Sequence, residues 1–393
     1  FIWLKQLDTL SGLIIVFIVK TTSCSNDRML ERFCHTWWGG LLAHLIMGCS
    51  WSFGVPLMFF TCLTMAFQTY WLSFVILVNL VFRKADAKKM WALFCLLLYA
   101  YLGPWSITSI GILGYFRYWF AFWCLTVMSI TAWFYTFEPS PDFVKTVQDL
   151  DFACYYKSCE LVGDLEDIRK EGTLFAFHPH GAFCIGYGWN ACWSKRFREL
   201  AGLDTKFMIS KVLRSDNPFF KIICDLHGGF DVLDKTSLQE CMQKNLNVAF
   251  VPGGSEEATA SSFQKEQSTI RQRTGFIKYA LQYGYKVTPV YTFGESESYY
   301  TLPWFMSFRR WLTKEFGIPA GAIFGLPLLP LMPRTTVNIR TVVGKPIEFE
   351  KNEEPTGEDV KRAHAVYTQA LEELFEEHKK DAGIDAETTL EII

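Results

Sequence analysis

The sequence predicts an α/β protein in two parts: membrane-embedded helical hairpins over residues 1–137, then an α/β domain over 138–393. Three observations carry that prediction. Long apolar runs free of charged residues fill the first part. Short strand-like runs alternate with helix-like runs in the second. Glu138-Pro139-Ser140-Pro141 stands between them as a break.

The membrane half follows from the length of the apolar runs. Trp37–Phe82 contains no Asp, Glu, Lys or Arg. A bilayer crossing needs about 20 apolar residues, so this run holds two, with Gly54-Val55-Pro56 as the turn. Arg83, Lys84, Lys88 and Lys89 follow, then the uncharged runs Met90–Phe116 and Tyr118–Phe137 around Arg117. Two hairpins with the 83–89 loop and the α/β domain on the cytosolic side satisfy the positive-inside bias. Thr9–Val19 is too short to span. The chain opens on Phe1 rather than Met, so a start upstream of this residue is expected.

Composition agrees and excludes other classes. Half of the 393 residues are hydrophobic and 17% are aromatic. The net charge of -2 splits into nine basic against four acidic residues before position 138, and 29 against 36 after it. No basic domain for nucleic acid results. Twelve cysteines lack a C-x-x-C pair or zinc spacing. Cys34, Cys49, Cys62, Cys95 and Cys124 fall in or beside apolar runs, as reduced packing residues would. The apolar runs hold almost no ionisable residue, which disfavours a transporter; His44 is the exception.

In the second half, strands are expected at 173–177, 206–210, 230–233, 247–251, 286–291 and 337–343. Helices are expected at 182–199, 236–245, 269–283 and 357–379. The last places Val360, Ala363, Tyr367, Leu371, Leu374 and Phe375 on one face, after a capping-box sequence, Thr356-Gly357-Glu358-Asp359. The irregular Pro-, Phe- and Leu-rich segment 302–334 suits an acyl channel or a bilayer contact.

Three strand ends carry residues with chemistry. The first ends on His178-Pro179-His180-Gly181, the second on Pro252-Gly253-Gly254-Ser255-Glu256-Glu257, the third on Phe293-Gly294-Glu295. Ligands of open α/β sheets sit beyond the carboxyl ends of strands. Together these give a base, a carboxylate and a glycine-rich backbone around one pocket. Acyl transfer from a thioester to an alcohol fits that set. The alcohol must lose its proton, and an imidazole with a pKa of about 6.5 is suited to take it. A carboxylate orients the ring, Pro179 stiffens the loop, and amides near Gly181 are placed to steady an oxyanion. Arg271, Arg273 and Lys278 form a basic helix face that could meet the phosphates of coenzyme A. A metal set of His178, His180, Asp225 and His227 lacks recognisable ligand spacing, so no metal is expected. No serine elbow and no P-loop occurs.

At these residues the chain resembles the type 2 diacylglycerol acyltransferase family, with its monoacylglycerol and wax-alcohol relatives, over roughly 172–380. Phe177-His178-Pro179-His180-Gly181 is similar to the family signature, and Gly253–Glu257 to its Gly-Gly-x-x-Glu element. Arg273-x-Gly275-Phe276-x-Lys278, continuing through Pro289 to Phe293-Gly294-Glu295, resembles its longest motif. Val342–Pro346, His364 and Tyr367 resemble its carboxyl end.

The resemblance implies an acyltransferase-like α/β domain and an acyl-CoA-dependent O-acyltransferase of triacylglycerol synthesis. It implies a multi-pass endoplasmic-reticulum membrane protein, with the lipid droplet as a second location. Acyl-CoA is co-substrate, with no resident cofactor, and self-association is left open. His180 is implied as the base with Glu257 as partner, His178 remaining the alternative. Two departures, Phe219-Phe220-Lys221 after Pro218 and Gly325-Leu326-Pro327, leave the acceptor open among diacylglycerol, monoacylglycerol and a fatty alcohol. A non-catalytic membrane lipid-binding protein is the reading from another class.

Overall fold

The computed structural model describes residues 123–393 apart from 124–125, 128–129, 132, 150–151, 217, 318 and 327–332. The expected hairpins and the five cysteines named with them therefore lie outside, or almost outside, the described residues. Among the described residues no helix is long and apolar enough to cross a membrane.

Strand β1 (Ser158–Gly163), β2 (Thr173–His178), β3 (Lys206–Ile209), β4 (Phe230–Val232), β5 (Val248–Phe250), β7 (Lys286–Phe293) and β10 (Asn338–Val343) form one sheet, in the order β1-β10-β7-β2-β5-β3-β4. β7, β2, β5, β3 and β4 run parallel, while β10 is antiparallel to β7 and carries β1 parallel at the edge. Short pairs complete the strands: β6 (Gln267–Ser268) with β11 (Glu391–Ile392), and β8 (Tyr300–Thr301) with β9 (Ile323–Phe324).

Among the described residues, eight helices of seven residues or more flank these strands: α1 (Pro141–Asp149), α2 (Lys195–Ala201), α3 (Pro218–His227), α4 (Lys235–Gln243), α5 (Gly254–Ala260), α6 (Gly275–Tyr283), α7 (Met306–Phe316) and α8 (Gly357–His378). Several begin where the sequence supplies a start. Pro141 opens α1 behind Ser140, whose Oγ accepts from the Phe143 N–H at 3.3 Å. Asp234 caps α4 through the Ser237 N–H at 2.8 Å. Thr356 and Asp359 close the capping box of α8.

Strand alternation builds the layers. Leu174 and Ala176 of β2 face the cluster that holds Met242 of α4, Ile277 of α6 and Leu371 of α8. Phe175 and Phe177 face the opposite cluster, with Phe197 of α2 and Cys224 of α3. Each such fully buried aromatic side chain stabilises the fold by about 1.5–3 kcal/mol relative to exposure.

The expected strands all form, and β1 with the short strands β6, β8, β9 and β11 are additions to them. The expected helix at 182–199 is broken. Cys184 takes a left-handed φ of 50°, a short helix and π-turn run from Ile185 to Cys192, and Ser194 caps α2 afresh. The expected helix at 269–283 starts only at Gly275, because the amides ahead of it are engaged elsewhere. The Thr269 N–H donates to Glu257, and the Arg271 N–H donates to the Ile393 carbonyl. The segment 302–334 contains α7, and Trp304, Phe305, Phe308 and Trp311 are exposed at and just before it.

Candidate active site

β7, β2 and β5 are neighbours and parallel, so the three strand ends singled out by the sequence open on one edge of the sheet. β2 ends on His178, followed by a cis peptide to Pro179. β5 leads through Pro252 and Gly253 into α5, which carries Glu257. β7 ends at Phe293, and Glu295 follows in a 3-10 turn. A cleft at this edge is lined by Pro179, Gly181, Glu257, Lys265, Gln267 and Ser296, among others.

The two imidazoles have different surroundings. His178 continues the β2 alternation, on the side of Leu174 and Ala176, and is fully buried. Its Nε2 lies 2.7 Å from Tyr367 Oη of α8 and its Nδ1 lies 2.8 Å from Ser268 Oγ of β6. Burial lowers its pKa to about 3, so the ring is neutral.

His180 is half-buried, and its Nδ1 lies 3.1 Å from the Gly181 carbonyl. A carbonyl only accepts, so Nδ1 carries the hydrogen and Nε2 keeps its lone pair. Among the described residues no protein group bonds that Nε2. Burial lowers the His180 pKa, against backbone hydrogen bonds that raise it, so this ring also stays neutral at pH 7.

Three carboxyls are buried around the histidine loop. Burial raises Glu257 to about 7, opposed by the Thr269 N–H, the His180 N–H, the Ser268 side chain and Arg273. Glu257 Oε1 accepts from Thr269 N–H at 3.2 Å, while Oε2 makes no bond of good geometry. Glu257 thus meets the backbone beneath His180 and not its ring; the group that fixes the ring is the Gly181 carbonyl. Glu295 Oε1 accepts from the Gly186 N–H at 2.6 Å, which anchors the turn after the histidine loop. Burial raises Glu295 to about 8, against hydrogen bonds from Gly186 and Ile185, with Glu266 and Glu257 adding repulsion. Glu266 accepts from Tyr291 and Ser296, both at 2.6 Å.

Two glycines let the carboxyls approach. Gly181 has φ of +56°, and a Cβ there would lie 2.7 Å from Glu295 Oε2. A Cβ on Gly253 would lie 1.5 Å from Glu257 Oε2. Gly254, expected in the turn after β5, is the first residue of α5. Phe293 is core, stacked on Phe375 with centroids 5.5 Å apart, and Gly294 turns the chain into Glu295.

The expected basic face is dispersed in its contacts. Arg273 pairs with Glu256, Arg271 Nη2 donates to the Ile392 carbonyl at 2.6 Å, and Lys278 is exposed on α6. Three residues of the site, Lys265, Ser268 and Glu266, carry no motif that sequence reasoning finds. Ser268 sits in a two-residue strand with no local signature. Tyr367 is legible only as a core position of α8 and as part of the carboxyl-end resemblance. Asp225 pairs with Arg214 at 2.9 Å and Lys221 at 2.6 Å. His227 packs against Trp193 and Phe230 and bonds the Cys192 carbonyl at 3.0 Å. No group of three or more metal-ligating residues occurs among the described residues.

Comparison with known proteins makes the chain an acyltransferase. The pattern of the family described as diacylglycerol acyltransferase matches residues 115–393. A Xenopus tropicalis diacylglycerol O-acyltransferase 2 is 33% identical over 260 residues, 61% of this chain and 69% of the relative. A Mus musculus 2-acylglycerol O-acyltransferase 1 is 29% identical over 278 residues, 67% and 77% of the two chains. Among solved structures, the 1-acyl-sn-glycerophosphate acyltransferase PlsC of Thermotoga maritima matches with TM-score 0.35 and 13% identity, over 73% of this chain and 94% of that one. The chain belongs to the diacylglycerol acyltransferase family.

Proposed function

We propose that the protein transfers an acyl group from acyl-CoA to the free hydroxyl of diacylglycerol, giving triacylglycerol, at a membrane, with His180 as the general base. The observation that carries the assignment of the base is the His180 tautomer: Nδ1–H is committed to the Gly181 carbonyl and Nε2 is left with a lone pair. His178 has both ring nitrogens engaged and no such capacity. Pro179 and Gly181, on either side of His180, line the cleft.

In the reaction, Nε2 takes the acceptor hydroxyl proton as the oxygen attacks the thioester carbonyl carbon. The C–S bond then breaks. The thiolate of coenzyme A receives the proton back from the imidazolium and leaves as a thiol, and the ester remains. The neutral ring suits this cycle, since a lone pair is present at pH 7.

A monoacylglycerol acceptor is the second reading, supported by the match to the 2-acylglycerol enzyme over 67% of the chain. Membranes carrying the full chain, given labelled acyl-CoA with diacylglycerol, monoacylglycerol or a long-chain alcohol, separate the acceptors. Triacylglycerol as main product is expected. No ester from any acceptor would overturn the enzymatic reading in favour of lipid binding without turnover.

A further inference from the structure

His178, Ser268 and Tyr367 are buried polar groups that the base mechanism does not use. They come from three separate elements, β2, β6 and α8, and meet at 2.7 Å and 2.8 Å. Hydrogen-bond satisfaction fixes the direction of this chain. Tyr367 is fully buried, and His178 Nε2 is its only hydrogen-bond partner among the described residues. A buried hydroxyl with one acceptor in reach donates to it. His178 Nε2 therefore accepts, and Nδ1 must carry the hydrogen of the neutral ring. Nδ1–H then donates to Ser268 Oγ, which leaves the Ser268 hydroxyl hydrogen for another acceptor. The facing acceptor is Glu257, whose Oε2 is buried without a partner and whose Oε1 takes the N–H of the next residue, Thr269, at 3.2 Å; the Ser268 side chain is also among the groups that lower the Glu257 pKa.

We propose that Tyr367 and Ser268 are positioning residues, which act through His178 as a one-way hydrogen-bond chain that is directed at Glu257 and favours its ionised form beneath the His180 backbone. The inference rests on the same site as the proposed function, but it gives the second histidine a different role, orientation rather than proton abstraction. It also explains why α8, remote in sequence, reaches the histidine loop. The tautomer of His178 is set from one end by a phenol and read at the other by a carboxylate.

Several groups surround Glu257 and set its charge jointly. Arg273 beyond α5 favours the ionised form, as do the Thr269 and His180 amides and the Ser268 side chain. Glu295 after β7 repels it, and Tyr291, Tyr367 and Cys184 feel its charge. Lys265 lines the same cleft. Among these, the tyrosine and serine hydroxyls are the contributions that Tyr367→Phe and Ser268→Ala remove without altering a charge.

In Tyr367→Phe the His178 ring loses its donor. The Ser268 hydroxyl is then free to turn onto the imidazole and away from Glu257. The ring packing of Tyr367 on Phe276, with centroids 5.1 Å apart, is retained. The titration of Glu257 is read directly by difference infrared spectroscopy of the full chain, as the protonated-carboxyl C=O band that disappears in Glu257→Gln. That band should persist to higher pH in Tyr367→Phe by about half a unit to one unit, the size of one lost hydrogen bond. Ser268→Ala should shift it equally, and the double variant by no more than either single one, because they break one chain. The acidic limb of kcat should move by the same amount. Additive shifts, or a titration unmoved in both variants, would overturn the chain. The infrared readout needs no turnover. Its failure is therefore distinct from failure of the acyl-transfer reading, which an inactive wild-type protein alone would sink.

Discussion

Gly253 and Glu257 approach so closely that any side chain on the glycine would occupy the space of the carboxylate. The built Cβ position falls 1.5 Å from Glu257 Oε2 and 2.7 Å from Glu257 Cβ. The contact joins the turn after β5 to the first turn of α5, and so fixes where the buried carboxyl stands at the cleft. Gly253→Ala should displace Glu257 and cost about 1–3 kcal/mol of stability, as overpacking does. Acyl transfer should fall by up to about 100-fold, the effect of a displacement of about 1 Å at a reacting site. Thermal unfolding and initial rates on the same preparation check both.

Glu295 acts on the other side of the histidine loop. Its Oε1 takes the Gly186 N–H at 2.6 Å, in a fully buried setting. Glu295→Gln keeps a carbonyl acceptor and should stay near wild-type stability. Glu295→Ala leaves that amide unpaired and should cost about 1–3 kcal/mol. Chemical denaturation of the two variants should therefore rank Gln well above Ala.

The buried histidines and carboxyls give stability a two-sided dependence on pH. His178 and His227, both lowered to about 3 by burial, stay neutral in the fold while the unfolded chain protonates near its usual value. Stability is lost as pH falls below about 6.5 toward 3, because the unfolded state then binds more protons. Glu257 and Glu295, raised to about 7 and about 8, have the opposite sign. Their protonated forms favour the fold. The unfolded chain ionises first, so stability declines as pH rises from about 4.5 through 8. The two trends offset between about pH 4.5 and 6.5. Melting temperatures should be flat there, and should fall on either side. Glu295→Gln should flatten the alkaline side.

Lys265 is exposed, lines the cleft, and has no carboxylate within ion-pair distance among the described residues. If the acyl donor enters over it, Lys265→Glu should raise KM for acyl-CoA about tenfold while kcat changes little, since a uniform binding contact affects KM alone. A KM that is unchanged would move the phosphate contact to Arg271 or Lys278.

The sheet is legible in the sequence because its strands alternate or run apolar between turn residues, as Leu174–Phe177 and Val287–Tyr291 do. The three strand-end motifs are legible for the same reason, whereas their adjacency as β7-β2-β5 depends on strand order, which no local pattern carries. β1 escapes because Ser158–Gly163 is an edge strand in which Leu161 alone is buried. The break at 184–194 is hidden by helix-compatible residues; a left-handed Cys184 has no sequence signal. The chain from Tyr367 to Ser268 is invisible because it joins residues 99 positions apart, one of them in a two-residue strand. Tertiary hydrogen bonds of that kind leave no periodicity to read.

In the proposed reaction everything turns on His180 Nε2 removing the acceptor proton. The most direct measurement is the initial rate of labelled triacylglycerol formation by His180→Ala in membranes, with and without added imidazole. The rate should fall about 10²–10⁴-fold, the contribution of general-base catalysis, and recover in part when imidazole is supplied. A His180→Ala protein that retains most of its rate would contradict that role and return the base assignment to another residue.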